Sequence, residues 1–223
     1  MARARQVPVE RARGSTLEFF PLDRERWSDF EALFGAKGAC GGCWCMTPRL
    51  RARAFDAQKG EGNRHAMRAL VEAGPPPGLL GYRDGRAVAW ISVEPRERFA
   101  RLATSRVLAP IDERPVWSIT CFFVAKEERG RGAMARALHA AAEHARQCGA
   151  ELLEGYPLDP APGKQVPAVF AWTGLLSAFL AAGFVEVERR SPTRPIVRLE
   201  LLGYFNQVPA TKAGRPRRVR QTE

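Results

Sequence analysis

The sequence predicts a single α/β domain, and three observations predict it. Apolar residues switch between a period of two and a period near 3.6 along the chain, in the order β-α-α-β-β-β-α-β-α-β-β. One run, 116–125 (VWSITCFFVA), is too continuously apolar for a surface strand and reads as the centre of a sheet. With 223 residues, 45% of them hydrophobic, and neither an internal repeat nor a dividing linker, the chain suits one core.

Residues 16–22 (TLEFFPL) suit a first strand. Asp23 then caps a helix whose Trp27, Phe30, Leu33 and Phe34 share a face, and Gly35 ends it. A cysteine-rich segment leads to a second helix over 63–74, stopped by Gly74 and the prolines at 75–77. Residues 78–95 read as a hairpin announced by Asp84-Gly85 between apolar runs. An irregular stretch, 96–115, precedes the central strand; its arginines suit either an anionic acceptor or water. After a glycine-arginine turn, Met134, Ala137, Leu138, Ala141 and Ala145 mark one face of a third helix ending at Gly149. Residues 150–158 read as a strand, and a proline-rich loop then precedes a fourth helix across Leu175, Leu176, Phe179 and Leu180. Strands over 184–190 and 195–201 complete the order.

The formal charge is +11, and much of it lies at the two ends. This divides the chain into a flexible basic tail over 1–14, a folded domain over 15–203 and a second basic tail over 204–223. Such tails hold polyanions non-specifically, and no nucleic-acid motif sharpens that, so no specific nucleic-acid partner is expected. No apolar run approaches the roughly 20 residues of a membrane span, and no hydrophobic stretch follows the basic N-terminus as a signal peptide requires. A soluble cytoplasmic protein with no membrane partner is the expectation. Five cysteines, with Cys121 and Cys148 inside apparent regular elements, fit reduced thiols better than a disulfide framework.

The most informative residues are 122–138, FFVAKEERGRGAMARAL. A buried strand runs into Arg129, Gly130, Arg131, Gly132 and Ala133, where a helix starts. Glycines let a phosphate approach the backbone, first-turn N–H groups lack intrahelical partners, and the helix dipole favours an anion. An Arg-Gly turn also caps helices without binding anything. The stretch nevertheless resembles the signature of the GNAT superfamily of acyl-CoA-dependent N-acyltransferases, Arg/Gln-x-x-Gly-x-Gly/Ala, at Arg129 and Gly132 with their spacing from Val124. The element order over about 15–202 and Ala182-Gly183-Phe184 match as well, while Met134 departs at the sixth signature position. Runs of Cys-Trp-Cys-Met, Cys-Phe-Phe-Val and Glu-Gly-Tyr-Pro resemble a bacterial subgroup of that superfamily.

The resemblance implies a GNAT fold: a mixed, mostly antiparallel central sheet with the fourth and fifth strands splayed, flanked by about four helices. It implies acetyl-CoA or a close acyl-CoA as cosubstrate, with the pantetheine arm along Phe122, Phe123 and Val124 and the pyrophosphate on Arg129 to Met134. It implies transfer to a primary amine, expected on a small molecule; a protein or peptide acceptor, or a CoA-binding regulator with little transfer, are the alternatives. Homodimers are common in such proteins, although nothing in the sequence marks a surface for one.

Amide formation needs a deprotonated amine, a polarised thioester carbonyl and a proton for the thiolate. The resemblance places a glutamate and a tyrosine where this chain has Ser118 and Phe179. Glu154 as base and Tyr156 as acid, from the fifth strand, are the expected substitutes, with Glu94 a weaker alternative base; the competing roles are a solvated or salt-bridged Glu154, a Tyr156 packed beside Pro157 and a Glu94 that meets solvent. In CGGCWCM, 40–46, the three cysteines lack a second pair to close a zinc site, so no metal is expected. Cys43, Trp44, Cys45 and Met46 are instead expected to wall the acceptor pocket, with Trp117 contributing. Plain packing or a thiol switch are the other uses of that segment.

Overall fold

The computed structural model describes residues 16–202 except 162, 165, 168 and 169; both expected basic tails lie outside the described residues. Its centre is one seven-stranded sheet in the order β1-β2-β3-β4-β5-β7-β6. The strands are β1 (Glu18–Pro21), β2 (Gly78–Arg83), β3 (Arg86–Pro95), β4 (Trp117–Val124), β5 (Leu152–Gly155), β6 (Val185–Glu188) and β7 (Ile196–Glu200). Every neighbouring pair is antiparallel except β4 with β5. The helices are α1 (Trp27–Phe34), α2 (Ala52–Ala57), α3 (Glu61–Ala73), α4 (Ala100–Ala103), α5 (Ala133–Gln147) and α6 (Leu176–Ala181). None is long and apolar enough to cross a membrane.

Two cores sandwich the sheet because its middle strands are apolar on both faces. On one face Ala137, Leu138, Ala141, Ala142 and Ala145 of α5, with Phe179 and Phe184, pack on Ile91, Ile119 and Leu153. On the other, Trp27, Phe30 and Phe34 of α1 and Met67 and Val71 of α3 pack on Leu80, Trp90 and Cys121. The small side chains of α5 let that helix lie close to the strands, and Ala133 at its N-terminus packs with Val88 and with Val124 at the end of β4.

The elements follow the sequence order with three differences. Asp23 does not cap α1, whose N-cap is Arg26; it accepts the Arg26 N–H at 3.0 Å in the preceding turn. The short helix α4 falls in the stretch read as irregular and α2 between the cysteine segment and the second helix, where no element is expected; α2 buries no residue and α4 has four. Residues 150–158 contribute only Leu152–Gly155 to the sheet. That shortening leaves the end of β4 without β5 beside it.

Candidate functional site

β5 pairs with β4 at just three positions, Trp117↔Leu153, Ser118↔Glu154 and Ile119↔Gly155, so β4 continues from 120 to 124 without β5 beside it. At the same point β4 bulges. Its register with β3 passes from Ser92↔Cys121 to Val93↔Ile119, leaving Thr120 unmatched. A bulge bends its strand and increases local twist, which carries the end of β4 away from β5.

The gap between the strands is bridged by the chain itself. Phe122 donates its N–H to the carbonyl of Trp172 at 2.6 Å, Leu158 N–H bonds Gly174 O at 2.8 Å, and Leu158 bridges Leu175. Gly174 is pressed against the rings behind it: a Cβ there would lie 2.8 Å from Phe179 and 3.0 Å from Phe122, at φ +83°. Arg194 latches the strap, donating to Thr173 Oγ1 at 2.7 Å and Tyr156 O at 3.3 Å, with its guanidinium 5.9 Å from the Trp172 ring centre. Burial pushes the Arg194 pKa below its ordinary value.

β4 ends at Val124, and a single 3-10 turn over Lys126–Glu128 leads from it to the Arg129–Ala133 turn. Gly130 and Gly132 have φ +73° and +76°, and Gly132, left-handed, is the N-cap of α5. No side chain caps the helix and no acidic residue stands in its first turn. Arg129 Nε bonds back to Val124 O at 3.1 Å, and Arg131 is 65% exposed beside Glu128. The Arg129 and Arg131 N–H groups bond back to Lys126 O and Glu128 O, so what the turn offers is the uncapped start of α5 and positive charge, which together suit an anion. Met134, the departure from the signature, packs against the α5-side core.

A polar row crosses the sheet one step before the gap. Glu94 pairs with Ser118, Ser118 with Glu154 and Glu154 with Arg198, on β3, β4, β5 and β7 respectively. Glu154, 1% exposed, takes Arg96 Nη1 on Oε1 and Arg198 Nε on Oε2, both at 2.8 Å. Tyr156 donates its hydroxyl to Glu154 Oε1 at 2.6 Å and lies 2.8 Å from Ser118 Oγ. Its pKa stands well above the ordinary 10, through burial first and the charge of Glu154 second, so the phenol is neutral. Arg198 also makes a two-bond contact with Asp112, whose pKa it lowers. At the other end Arg49 bonds Glu94, Ser92 Oγ and Pro77 O. Each buried charge is paired, as burial demands.

Phe99 and Leu102, from the β3–β4 connection, close over this row against Tyr156 and Ile196. Arg96 therefore turns inward, with 11% of its side chain exposed, where the sequence left its stretch between an acceptor and water.

The cysteine segment is folded into the α1–α3 core. Trp44 (5% exposed), Cys45 (0%) and Met46 (4%) are buried, and Trp44 stacks on Phe34. Trp44 and Cys45 have positive φ, a conformation costing about 1–2 kcal/mol per residue, set against the burial of an indole and a thiol. Gly38 and Gly42 are required by close approach. A Cβ on Gly38 would lie 2.3 Å from the Trp44 indole, and one on Gly42 2.6 Å from Gly60 N. Cys45 Sγ lies 2.9 Å from Cys121 Sγ, while Cys43 bonds Gly38 O with its thiol pKa pushed up to about 11 by burial. Among the described residues no three His, Cys, Asp or Glu side chains are grouped to hold a metal.

Of the residues expected to wall the acceptor, then, Trp44, Cys45 and Met46 are core residues, and Cys43 is half-buried. One edge of Trp44 lines a cavity of about 480 Å³ with Lys37, Lys59 and Gly60. Trp117 is not brought to them: it packs on the opposite face, 5.9 Å from His144 of α5. Phe179, where the resemblance expects a tyrosine, is fully buried, and a Cβ on Gly155 would lie 2.2 Å from its ring. Sequence reasoning missed Arg198, Asp112, Trp172 and Arg194, whose partners are 21 to 86 residues distant, and Thr120, whose place is set by the register of β4; no local pattern announces them.

No curated protein matches the chain. Similar solved structures include an aminoglycoside N-acetyltransferase in complex with CoA, 16% identical, over 81% of this chain and 95% of that one, with a TM-score of 0.49. An acetyltransferase of the GNAT family from Streptococcus agalactiae is 11% identical over 82% and 95%, TM-score 0.49. The GNAT domain of PAT from S. lividans is 15% identical over 82% and 90%, TM-score 0.46. The family model described as acetyltransferase (GNAT) matches residues 44–156, a span running from the cysteine segment through α5 to Tyr156 and covering just over half of the chain. With that match and a sheet that parts between β4 and β5 above a glycine-arginine turn, the chain belongs to the GNAT family of acetyltransferases.

Proposed function

We propose that the protein transfers an acetyl or short acyl group from acyl-CoA to a primary amine on a small molecule. One observation carries the reading: in the gap between β4 and β5, the Phe122 N–H holds a carbonyl oxygen. The Trp172 carbonyl stands there for the oxygen of a thioester. A fixed N–H aimed at that oxygen favours the charge it gains as bonds change, the arrangement that acyl transfer uses most.

The main chain of Phe122, Phe123 and Val124 would hold the arm of the cosubstrate, and Arg129 to Met134 its pyrophosphate, on uncapped amides between two arginines. The bound thioester supplies the acyl group. The amine nitrogen bonds to the carbonyl carbon, the C–S bond breaks, the amine loses a proton and the departing thiolate takes one. For this traffic Glu154 would be the base and Tyr156 the acid: the phenol is neutral, its proton rests against Glu154, and Ser118 Oγ links it to β4. The small acceptor rests on the cover of the β3–β4 connection, since Phe99 and Leu102 lie over the sheet beside Tyr156, where an extended peptide would need room.

Acetyl-CoA binding by calorimetry, with Gly132→Val alongside, tests the reading. Micromolar binding that falls at least tenfold in the variant is expected, since a β-branched residue at φ +76° disturbs the helix start. Failure of the folded wild-type protein to bind would overturn it. Binding without turnover on a panel of amines would favour a CoA-responsive regulator instead.

A further inference from the structure

Thr120 is the residue that β4 inserts at its bulge. It has no partner in the register with β3, and pairing with β5 stops one residue earlier, at Ile119. It therefore stands where the two strands part, two residues before the Phe122 N–H. Its side chain is buried, at 3% exposure for the residue, and its Oγ1 has no hydrogen-bond partner among the described residues.

That is an unusual state for a hydroxyl. Buried polar atoms are paired in native structures, and an unpaired one opposes folding. The other polar side chains of this strand obey the rule: Ser118 Oγ meets Tyr156, and Cys121 Sγ meets Cys45. Valine has nearly the same shape and would fill the position without an orphaned group. An exception of this kind, at the mouth of a ligand gap, is accounted for if the ligand brings the missing partner.

Resting on the acyl-CoA reading above, we propose that the Thr120 hydroxyl donates a hydrogen bond to the acyl thioester in the β4/β5 gap. Together with the Phe122 N–H it makes a two-donor site for one oxygen, a side-chain donor and a main-chain donor on the same strand. No bond is made or broken at Thr120; it binds and polarises the carbonyl.

The test compares wild type, Thr120→Val and Thr120→Ser. Thermal midpoints are read without ligand, and affinities for acetyl-CoA and for CoA, which has no acyl carbonyl, are read by calorimetry. Thr120→Val should melt at the same temperature or higher, because it removes an unpaired buried group. Its ratio of acetyl-CoA to CoA affinity should fall about fivefold, the effect of one hydrogen bond, and Thr120→Ser should keep the wild-type ratio. An unmoved ratio in Thr120→Val overturns the inference, as does a lowered midpoint with both ligands weakened equally, which would mark a packing role. If neither ligand binds folded wild type, the acyl-CoA reading fails first and takes this inference with it; binding with an unmoved ratio removes the hydroxyl alone.

Discussion

Glu154 is held by two guanidiniums and a phenol in a place sealed from water, and removing its carboxylate would leave Arg96 and Arg198 facing each other without their shared anion. Glu154→Ala should destabilise the fold by about 3–5 kcal/mol, the usual cost of stranding a buried charge, as read by denaturant unfolding. Tyr156→Phe leaves Ser118 and Glu154 one bond short, and about 1–2 kcal/mol is expected at neutral pH. The same phenol makes a pH prediction. Its folded pKa is raised above 10, so above that pH the unfolded chain loses a proton that the folded protein keeps. Its contribution is complete below about pH 10 and is lost as pH rises towards the folded value. Stability should therefore fall above pH 10, less steeply in Tyr156→Phe. Some slope should remain, because burial and then Asp29 raise the Tyr82 pKa too.

At the scale of elements, the strap at 172–175 and the ligand gap compete for the same backbone donor. An acyl-CoA that needs the Phe122 N–H must first displace the Trp172 carbonyl, so apparent affinity is reduced by the fraction of molecules in which the strap has moved. Arg194 holds that strap through Thr173 and the Tyr156 carbonyl. Arg194→Ala should raise the open fraction, tightening acetyl-CoA binding about fivefold if one net hydrogen bond is released. Equal affinity in stopped-flow and calorimetric titrations would show that the strap does not oppose the ligand. The glycine-arginine turn differs from the strap in kind. Its partners are consecutive residues, and it was readable without the fold; the strap joins residues fifty positions apart and was not.

For the molecule as a whole, a ligand gripped by β4 and by the start of α5 ties the sheet to the helix that covers it. At a hundredfold excess over its dissociation constant, a ligand specific to the folded state adds about 2.7 kcal/mol. For a domain of this size that is a rise of roughly 5–10 °C in thermal midpoint. Acetyl-CoA should produce it, Gly132→Val should show no more than about half of it at the same ligand concentration, and the comparison checks the whole gap at once.

The sequence by itself determined the order of elements, the central place of 117–124 and the glycine turn at 129–133 that starts α5, because each is written in neighbouring residues: a period of two, a period of 3.6, and glycines before a helix. It missed α2 and α4, which bury too little to impose a period. The tertiary structure decided what lies beside what. Glu94, Ser118, Glu154 and Arg198 become neighbours only through the register of four strands, and Thr120 becomes an orphan only because β4 bulges where β5 leaves it. Trp44, Cys45 and Met46, which read as pocket wall, became core because the loop turns them under α1 and α3. Local pattern follows from bonds and periods along the chain; pairing across a sheet follows from packing, which couples residues that the sequence keeps far apart.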